Sequence, residues 1–362
     1  MASMKNPIVK IIQDSGCCSY LVGCRQTKKC VIVDPKVGQE GIYLDLIESF
    51  GLNLIATIDT HTHADHLSAS SIFLKQEVAL WMSNQTQCSR DYRALSPGET
   101  IEIGELAFKV LEVPGHTPDS IALFGHGLLL SGDSLFMGGL ARADFHGSDP
   151  ERLFNSVQEQ LMSLPDDTLV FPGHEYNDYL FSTVGYERAN NPALQHASGS
   201  AYAKSLDNIE GAGNSPGVTS NLACNLERDP ELPESPPNVA ACCAAPSAGG
   251  GEVTIAATTP EKCHDELASI TANGHWIDVR EPWEFEMGRI PGTRSVPLSE
   301  LGFHLGSIRS GTPFTISCRS GVRSMSAART LERLGVLSHP VNLTGGILAW
   351  QALFPVKGKK VS

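Results

Sequence analysis

Thr60-His61-Thr62-His63-Ala64-Asp65-His66 puts three imidazoles and one carboxylate into a single short stretch. The run before it, Leu54 to Ile58, is apolar and β-prone, so the histidines fall where a buried strand ends and a loop opens. A loop at a strand end can turn several side chains onto one point. A lone histidine is most often a satisfied core or surface residue. Three of them beside an aspartate would repel or desolvate one another unless they share a cation. The stretch therefore predicts a metal site at the rim of a sheet.

Three later apolar runs repeat the arrangement. Phe108 to Val113 precedes Pro114-Gly115-His116, Leu128 to Leu130 precedes Ser131-Gly132-Asp133, and Thr168 to Phe171 precedes Pro172-Gly173-His174. Each glycine alone marks a turn. As a set, separate strands delivering His, Asp and His to one sheet edge would complete the site begun by the first loop. Upstream, residues 8–34 read as a strand pair, Tyr20-Leu21-Val22 and Val31-Ile32-Val33, about the polar turn Arg25 to Lys29. Ile42, Leu46, Ile47 and Phe50 then show helical spacing, which gives strand, helix, strand and loop, an α/β pattern.

With 362 residues, 41% hydrophobic and 19% charged, the chain is long enough for two or three ordinary globular domains. No apolar run approaches bilayer length, so a soluble protein with no membrane partner is expected. The N-terminus lacks an apolar signal region, and ten cysteines in so long a chain read as reduced thiols, which together point to a cytoplasmic location. The adjacent pairs Cys17-Cys18 and Cys242-Cys243 read as bystanders. A net charge of -13 argues against nucleic acid as a partner.

From about Ser205 to Gly251 the composition turns to Pro, Ser, Gly and Ala, and residues 245–251 read as a flexible linker. The expected organisation is a first domain over 1–243, with 205–243 as its tail, a linker over 244–252, and a second α/β domain over 253–358. Asn221 to Leu226 is expected to pack on the first domain. In the second domain the strand Phe314-Thr315-Ile316-Ser317 leads into Cys318-Arg319-Ser320-Gly321-Val322-Arg323-Ser324, then a helix with Ala327, Ala328, Leu331 and Leu334 on one side. A cysteine where a loop opens a helix, with Arg319 and Arg323 beside it, is favoured as thiolate by the dipole, the backbone N–H groups and two cations. The same loop is an anion nest. A phosphatase loop would carry arginine six positions after the cysteine. Here Ser324 stands there and the arginine comes at five, a shorter ring that favours a persulfide sulfur.

This C-terminal third resembles the rhodanese family in its Cys-Arg-Ser-Gly-x-Arg loop, in Asp278-Val279-Arg280 with Glu284-Phe285, and in Gly288-Arg289-Ile290-Pro291-Gly292-Thr293. Arg289 departs from the family's usual His. The resemblance implies sulfur transfer through a persulfide on Cys318, with Arg319 and Arg323 lining the loop.

The first two hundred residues resemble the metallo-β-lactamase superfamily, from His61 to His66 through His116, Asp133 and His174, which implies an αββα sandwich with the site at its rim. Two branches fit. Glyoxalase II-like zinc hydrolases would use His61, His63 and His116 for one ion, Asp65, His66 and His174 for a second, and Asp133 as bridge. Persulfide dioxygenases keep the same seven residues but hold one Fe(II) per chain through His61, His116 and Asp133. His63, Asp65, His66 and His174 then lie behind the ligands.

Ala141-Arg142-Ala143-Asp144-Phe145 is similar to a dioxygenase segment in which Gly and Thr stand in place of the two alanines. Ser182-Thr183-Val184, Glu187 and Asn191-Pro192 also look like that branch. With the second domain, the whole chain resembles the persulfide dioxygenase-rhodanese fusion proteins. A two-His-one-Asp set on Fe(II) leaves three positions for water, O2 and a substrate thiolate. The resemblance implies glutathione persulfide, glutathione, thiosulfate, sulfite and O2 as reactants, with Arg142, Tyr176 and Thr117 at the glutathione. A homodimer is the assembly to test for.

Overall fold

The computed structural model describes residues 6–144, 147–206, 216–227, 253–272, 274–309 and 311–356. The expected linker over 244–252, the Cys242-Cys243 pair, Phe145 and the tail over 228–243 lie outside them. The chain divides into two compact units. The first takes residues up to Tyr176 and from Ser182 on, and the second takes the C-terminal residues with Asn177–Phe181.

In the first unit, β1 (Ile8–Asp14), β2 (Cys17–Gly23), β3 (Lys29–Val33), β4 (Asn53–Ile58), β5 (Ala79–Ser83) and β6 (Arg93–Leu95) form one sheet in that order. Residues 8–34 thus hold three strands where the sequence suggested a pair. β1 pairs antiparallel with β2 from Ile8–Gly23 to Asp14–Cys17, and Lys10 and Gln13 interrupt the alternation that would have announced it. The second sheet runs β14 (Ser182–Thr183), β13 (Leu169–Pro172), β10 (Leu128–Gly132), β9 (Ile121–Gly125), β8 (Leu106–Glu112), β7 (Thr100–Ile103). A hairpin, β11 (Leu135–Phe136) with β12 (Gly139–Leu140), follows β10.

Strand alternation decides what each face meets. Leu21, Cys30 and Ile32 pack with Tyr43 of α1 (Glu40–Phe50) and Phe73 of α2 (Ser70–Leu74). Tyr20, one position along, points the other way: its ring meets Phe171 of β13 edge-on at 5.6 Å and its hydroxyl donates to the Pro172 carbonyl at 2.5 Å. On the second sheet Leu111, Leu129 and Val170 pack with Leu153 and Phe154 of α3 (Pro150–Ser156), Val184 of α4 (Val184–Asn190) and Tyr202 of α5 (Gly199–Ser205). Helices cover the outer face of each sheet and the inner faces meet, the expected αββα sandwich.

The second unit carries a sheet ordered β15 (Ala256–Thr258), β19 (Pro340–Leu343), β18 (Phe314–Ser317), β16 (Trp276–Asp278), β17 (Arg294–Ser295), with every pairing parallel. Trp276 and Trp350 anchor its core with Ile290, Leu343 and Ile347. Among the described residues no helix is long and apolar enough to cross a membrane.

Candidate metal centre and sulfur-transfer loop

β4 ends at Ile58, and residues 59–68 leave it without a regular ladder. Buried carboxylates replace the missing partners. Asp34 accepts from the Thr60 amide at 2.7 Å and the Thr60 hydroxyl at 2.9 Å, and Asp119 accepts from the Thr62 hydroxyl at 2.6 Å. Asp59 accepts from Ser68 and Ser70. β8 and β10 are both antiparallel to β9, and β13 is parallel to β10, so these three strands run the same way. They deliver His116, Asp133 and His174 to the end of the sandwich where the β4 loop lies.

His61 Nε2 lies 3.8 Å and His116 Nε2 3.6 Å from Asp133 Oδ2, with all three residues buried. Their neighbours set the tautomers. The Thr60 hydroxyl gives its proton to Asp34, so it accepts from His61 Nδ1 at 3.0 Å. His116 Nδ1 donates to the Arg142 carbonyl at 2.8 Å. Both rings thereby present a lone pair on Nε2. Burial, and then the neighbouring His63, push the pKa of His61 down to about 3, which keeps it neutral. Burial opposes ionisation of Asp133, but the His174 charge and hydrogen bond outweigh it and hold the carboxyl below the usual range. Among the described residues His61 Nε2 and Asp133 Oδ2 have no hydrogen-bond partner although both are buried. That is a costly state unless a cation takes up the lone pairs, and the three donors are close enough to one another to share one.

A second set lies behind the first. Asp65 Oδ2 is met by His66 Nδ1 at 2.8 Å and His174 Nε2 at 3.1 Å, and His174 Nδ1 lies 3.0 Å from Asp133 Oδ1. His174 thus joins the two sets. His63 Nε2 lies 3.1 Å from Asp34 Oδ1. Burial works against protonation of His66, and the Asp65 carboxylate overrides it to raise its pKa to about 10.

Two contributors carry no signal in the sequence. Cys17, expected to be a bystander, is buried with its Sγ 3.3 Å from Asp65 Oδ2. Burial raises its pKa, and hydrogen bonds with His174 and His66 reverse that to a net lowering. Asn225, on α6 (Pro216–Leu226), donates to the carbonyls of His63 at 2.9 Å and His66 at 2.8 Å. α6 does pack on the first unit, as expected for the tail, but no local pattern marks its asparagines.

The glutathione candidates are placed unevenly. The Arg142 guanidinium pairs with Asp144 through two contacts at 2.7 and 2.6 Å. The Tyr176 ring stacks on His174, with centroids 6.0 Å apart, and is 46% exposed. Thr117 is buried and its hydroxyl donates to Asp119 at 2.6 Å.

In the second unit Cys318 follows β18 and is fully buried. It takes contacts from the Gly321 amide at 3.1 Å and the Ser324 hydroxyl at 3.3 Å. Gly321, at φ +95, caps α8 (Val322–Arg333). Arg323 is held by Glu284 through two contacts at 2.8 and 2.7 Å, and Arg319 is exposed. The arginine at position five is therefore fixed by a carboxylate from α7 (Pro282–Met287), the helix that opens on the Asp278-Val279-Arg280 segment.

The profile of the metallo-beta-lactamase superfamily matches residues 85–174, and that of the rhodanese-like domain matches residues 259–353. The mitochondrial persulfide dioxygenase ETHE1 of Bos taurus is 30% identical over 223 residues, covering 59% of this chain and 85% of that protein. The hydroxyacylglutathione hydrolase GloC of Haemophilus influenzae is 33% identical, over 47% of this chain and 90% of its own. The crystal structure of ETHE1 from Myxococcus xanthus superposes with a TM-score of 0.56 at 30% identity, covering 60% of this chain and 99% of that one.

Proposed function

The chain belongs to the metallo-β-lactamase superfamily, as a relative of persulfide dioxygenase joined to a rhodanese-like domain, and on that premise we propose that it oxidises glutathione persulfide with O2. The reaction is glutathione persulfide, O2 and water to glutathione, bisulfite and a proton. The observation that carries the reading is the buried set His61 Nε2, His116 Nε2 and Asp133 Oδ2, two imidazoles and one carboxylate from strand ends of both sheets. The set suits a non-haem Fe(II) with open positions.

His61, His116 and Asp133 would hold one iron per chain. Bound there, Fe(II) supplies the one-electron chemistry that lets O2 react with a sulfur anion. The remaining work falls to the protein. Thr60 and the Arg142 carbonyl keep both imidazoles turned to the centre. His174 holds Asp133 through its other oxygen, and Asp65, His66 and His63 fix the surrounding protons. Tyr176, stacked on His174 and half exposed, is proposed to meet the glutathione, with Thr117 beside His116. Arg142 would exchange Asp144 for a glutathione carboxylate.

The second domain would supply the persulfide. The Cys318 thiolate attacks the outer sulfur of thiosulfate, sulfite leaves, and glutathione thiolate then takes the sulfur from the Cys318 persulfide. Gly321 N–H and the Ser324 hydroxyl would stabilise the sulfur anion, and Arg319 and Arg323 the sulfite.

The competing reading is a zinc-dependent thioester hydrolase fused to a sulfurtransferase, favoured by the hydrolase relative and by two further sets around Asp65, one with Cys17 and His66 and one with Asp133 and His174, each close enough to share a second ion. Metal analysis of anaerobically purified protein with O2 uptake on glutathione persulfide decides between them. We expect about one iron per chain, and loss of iron and O2 uptake together in His116→Ala and Asp133→Ala. Two zinc ions per chain with thioester hydrolysis and no O2 uptake would sink the dioxygenase.

A further inference from the structure

We propose that α6 is a strap across the metal loop and that Asn225 is a positioning residue of the metal centre. The idea rests on the proposed function only for the identity of the metal. The loop over 63–68 belongs to no ladder and makes one isolated bridge, Ser68 with Lys36, so most of its buried peptide groups must be satisfied from elsewhere. Asn225 spends both amide protons on the carbonyls of His63 at 2.9 Å and His66 at 2.8 Å, and its oxygen accepts from the Ser68 amide at 3.0 Å. One helical turn earlier, Asn221 donates to the Ala64 carbonyl at 3.3 Å. Both asparagines are buried, 0% and 3% exposed. The helix is moored separately at its C-terminal end, where carbonyls carry partial negative charge. There the Arg90 guanidinium takes the Cys224 and Glu227 carbonyls at 2.7 and 3.0 Å, and the Ser89 amide takes that of Leu226 at 2.9 Å.

The carbonyls that Asn225 grips flank Asp65 in the chain and fix where its carboxylate points. Asp65 holds His174, and His174 holds Asp133. One line of contacts therefore runs from the strap to a donor of the centre. Coupling of this kind is reciprocal: if Asn225 shapes the centre, an ion in the centre must tighten the strap.

That reciprocity gives a test on the parent protein. Hydrogen exchange is followed on the full chain, anaerobically, without metal and with Fe(II). We expect the amides of 216–227 and of Ser68 to slow several-fold on loading, and equal exchange in the two states overturns the proposal. The second arm uses Asn225→Asp, near-isosteric, which removes two donors and sets an anion against two carbonyls. Iron affinity, by chelator competition, is expected to fall roughly 10- to 100-fold, the range for lost outer partners of a metal site. The electron paramagnetic resonance spectrum of the nitric oxide-treated protein at saturating iron is expected to change its rhombicity. A helix that merely adds stability would lower Tm and leave both readouts at the parent value, which would refute the positioning role. Should the variant not fold, the exchange arm decides. Neither arm uses O2 consumption, so a protein that binds iron this way yet leaves persulfide untouched refutes the dioxygenase and keeps the strap.

Discussion

Arg142 does two jobs through two parts of itself. Its carbonyl fixes the His116 tautomer, and its guanidinium, paired to Asp144, is the part proposed to meet glutathione. Truncating the side chain separates them. Arg142→Ala keeps the carbonyl, so iron content should stay at the parent level, while the lost charge-assisted contact, worth about 1.5–3 kcal/mol, should raise KM roughly ten- to a hundredfold. Steady-state O2 uptake at varied persulfide checks it, and an unchanged KM assigns the guanidinium to Asp144 alone. At this scale the sequence is informative wherever chemistry is rare: three imidazoles and a carboxylate in six positions seldom occur without a cation to share. It is silent on Cys17, whose thiol meets a carboxylate 48 residues away. The Cys17-Cys18 pair carries no sign of that contact, because a small apolar residue at a strand start would serve the strand equally well.

The strand ends show why a recurring glycine is legible as a pattern and not as a cause. From the sequence, each Gly before a donor reads as a turn marker. At Gly132 that is half of it: φ is +52, and an added Cβ would stand 2.5 Å from the Thr60 hydroxyl that orients His61. At Gly173 the backbone needs no glycine, but a Cβ there would run into Asp133 Oδ1. The strand passes so close that a side chain would displace the carboxylate. Gly173→Ala should therefore lose iron while the sandwich stays folded, because the hard collision is with the Asp133 side chain and the nearest backbone atom, of Gly132, stands 3.1 Å away. Iron content beside the far-ultraviolet circular dichroism spectrum reads this, and full iron occupancy would contradict the close approach. The long apolar elements are legible from periodicity. β1 is not, since Lys10 and Gln13 break its alternation, and α6 is not, since its buried face is built from asparagines that ordinarily mark a loop.

Across the whole molecule, the partners named for the metal set lie in the first unit, and those named for Cys318, which are Gly321, Ser324 and, through Arg323, Glu284, lie in the second. The two chemistries should be independently breakable. Cys318→Ser should abolish sulfur transfer from thiosulfate to glutathione and leave iron and O2 uptake on ready-made glutathione persulfide near the parent rate. On thiosulfate plus glutathione the same variant should consume almost no O2. Continued uptake there would mean that the C-terminal domain does not feed the iron. The sequence reads as two domains because its composition changes so sharply after residue 205, whereas the grouping of Asn177–Phe181 with the second unit carries no such sign.

The donor set also has a history within each molecule. His61 hangs from the first sheet and His116 and Asp133 from the second, so the three cannot meet until both sheets have formed and closed on one another. Such long-range pairings come late on the folding pathway. A newly made chain accordingly offers an ion only the local His61–His66 stretch, and the complete donor set only when assembly is nearly over. An ion held by the complete set then acts chiefly by retarding the undoing of the assembly, so that set bears more on how long the finished protein lasts than on how quickly it is made.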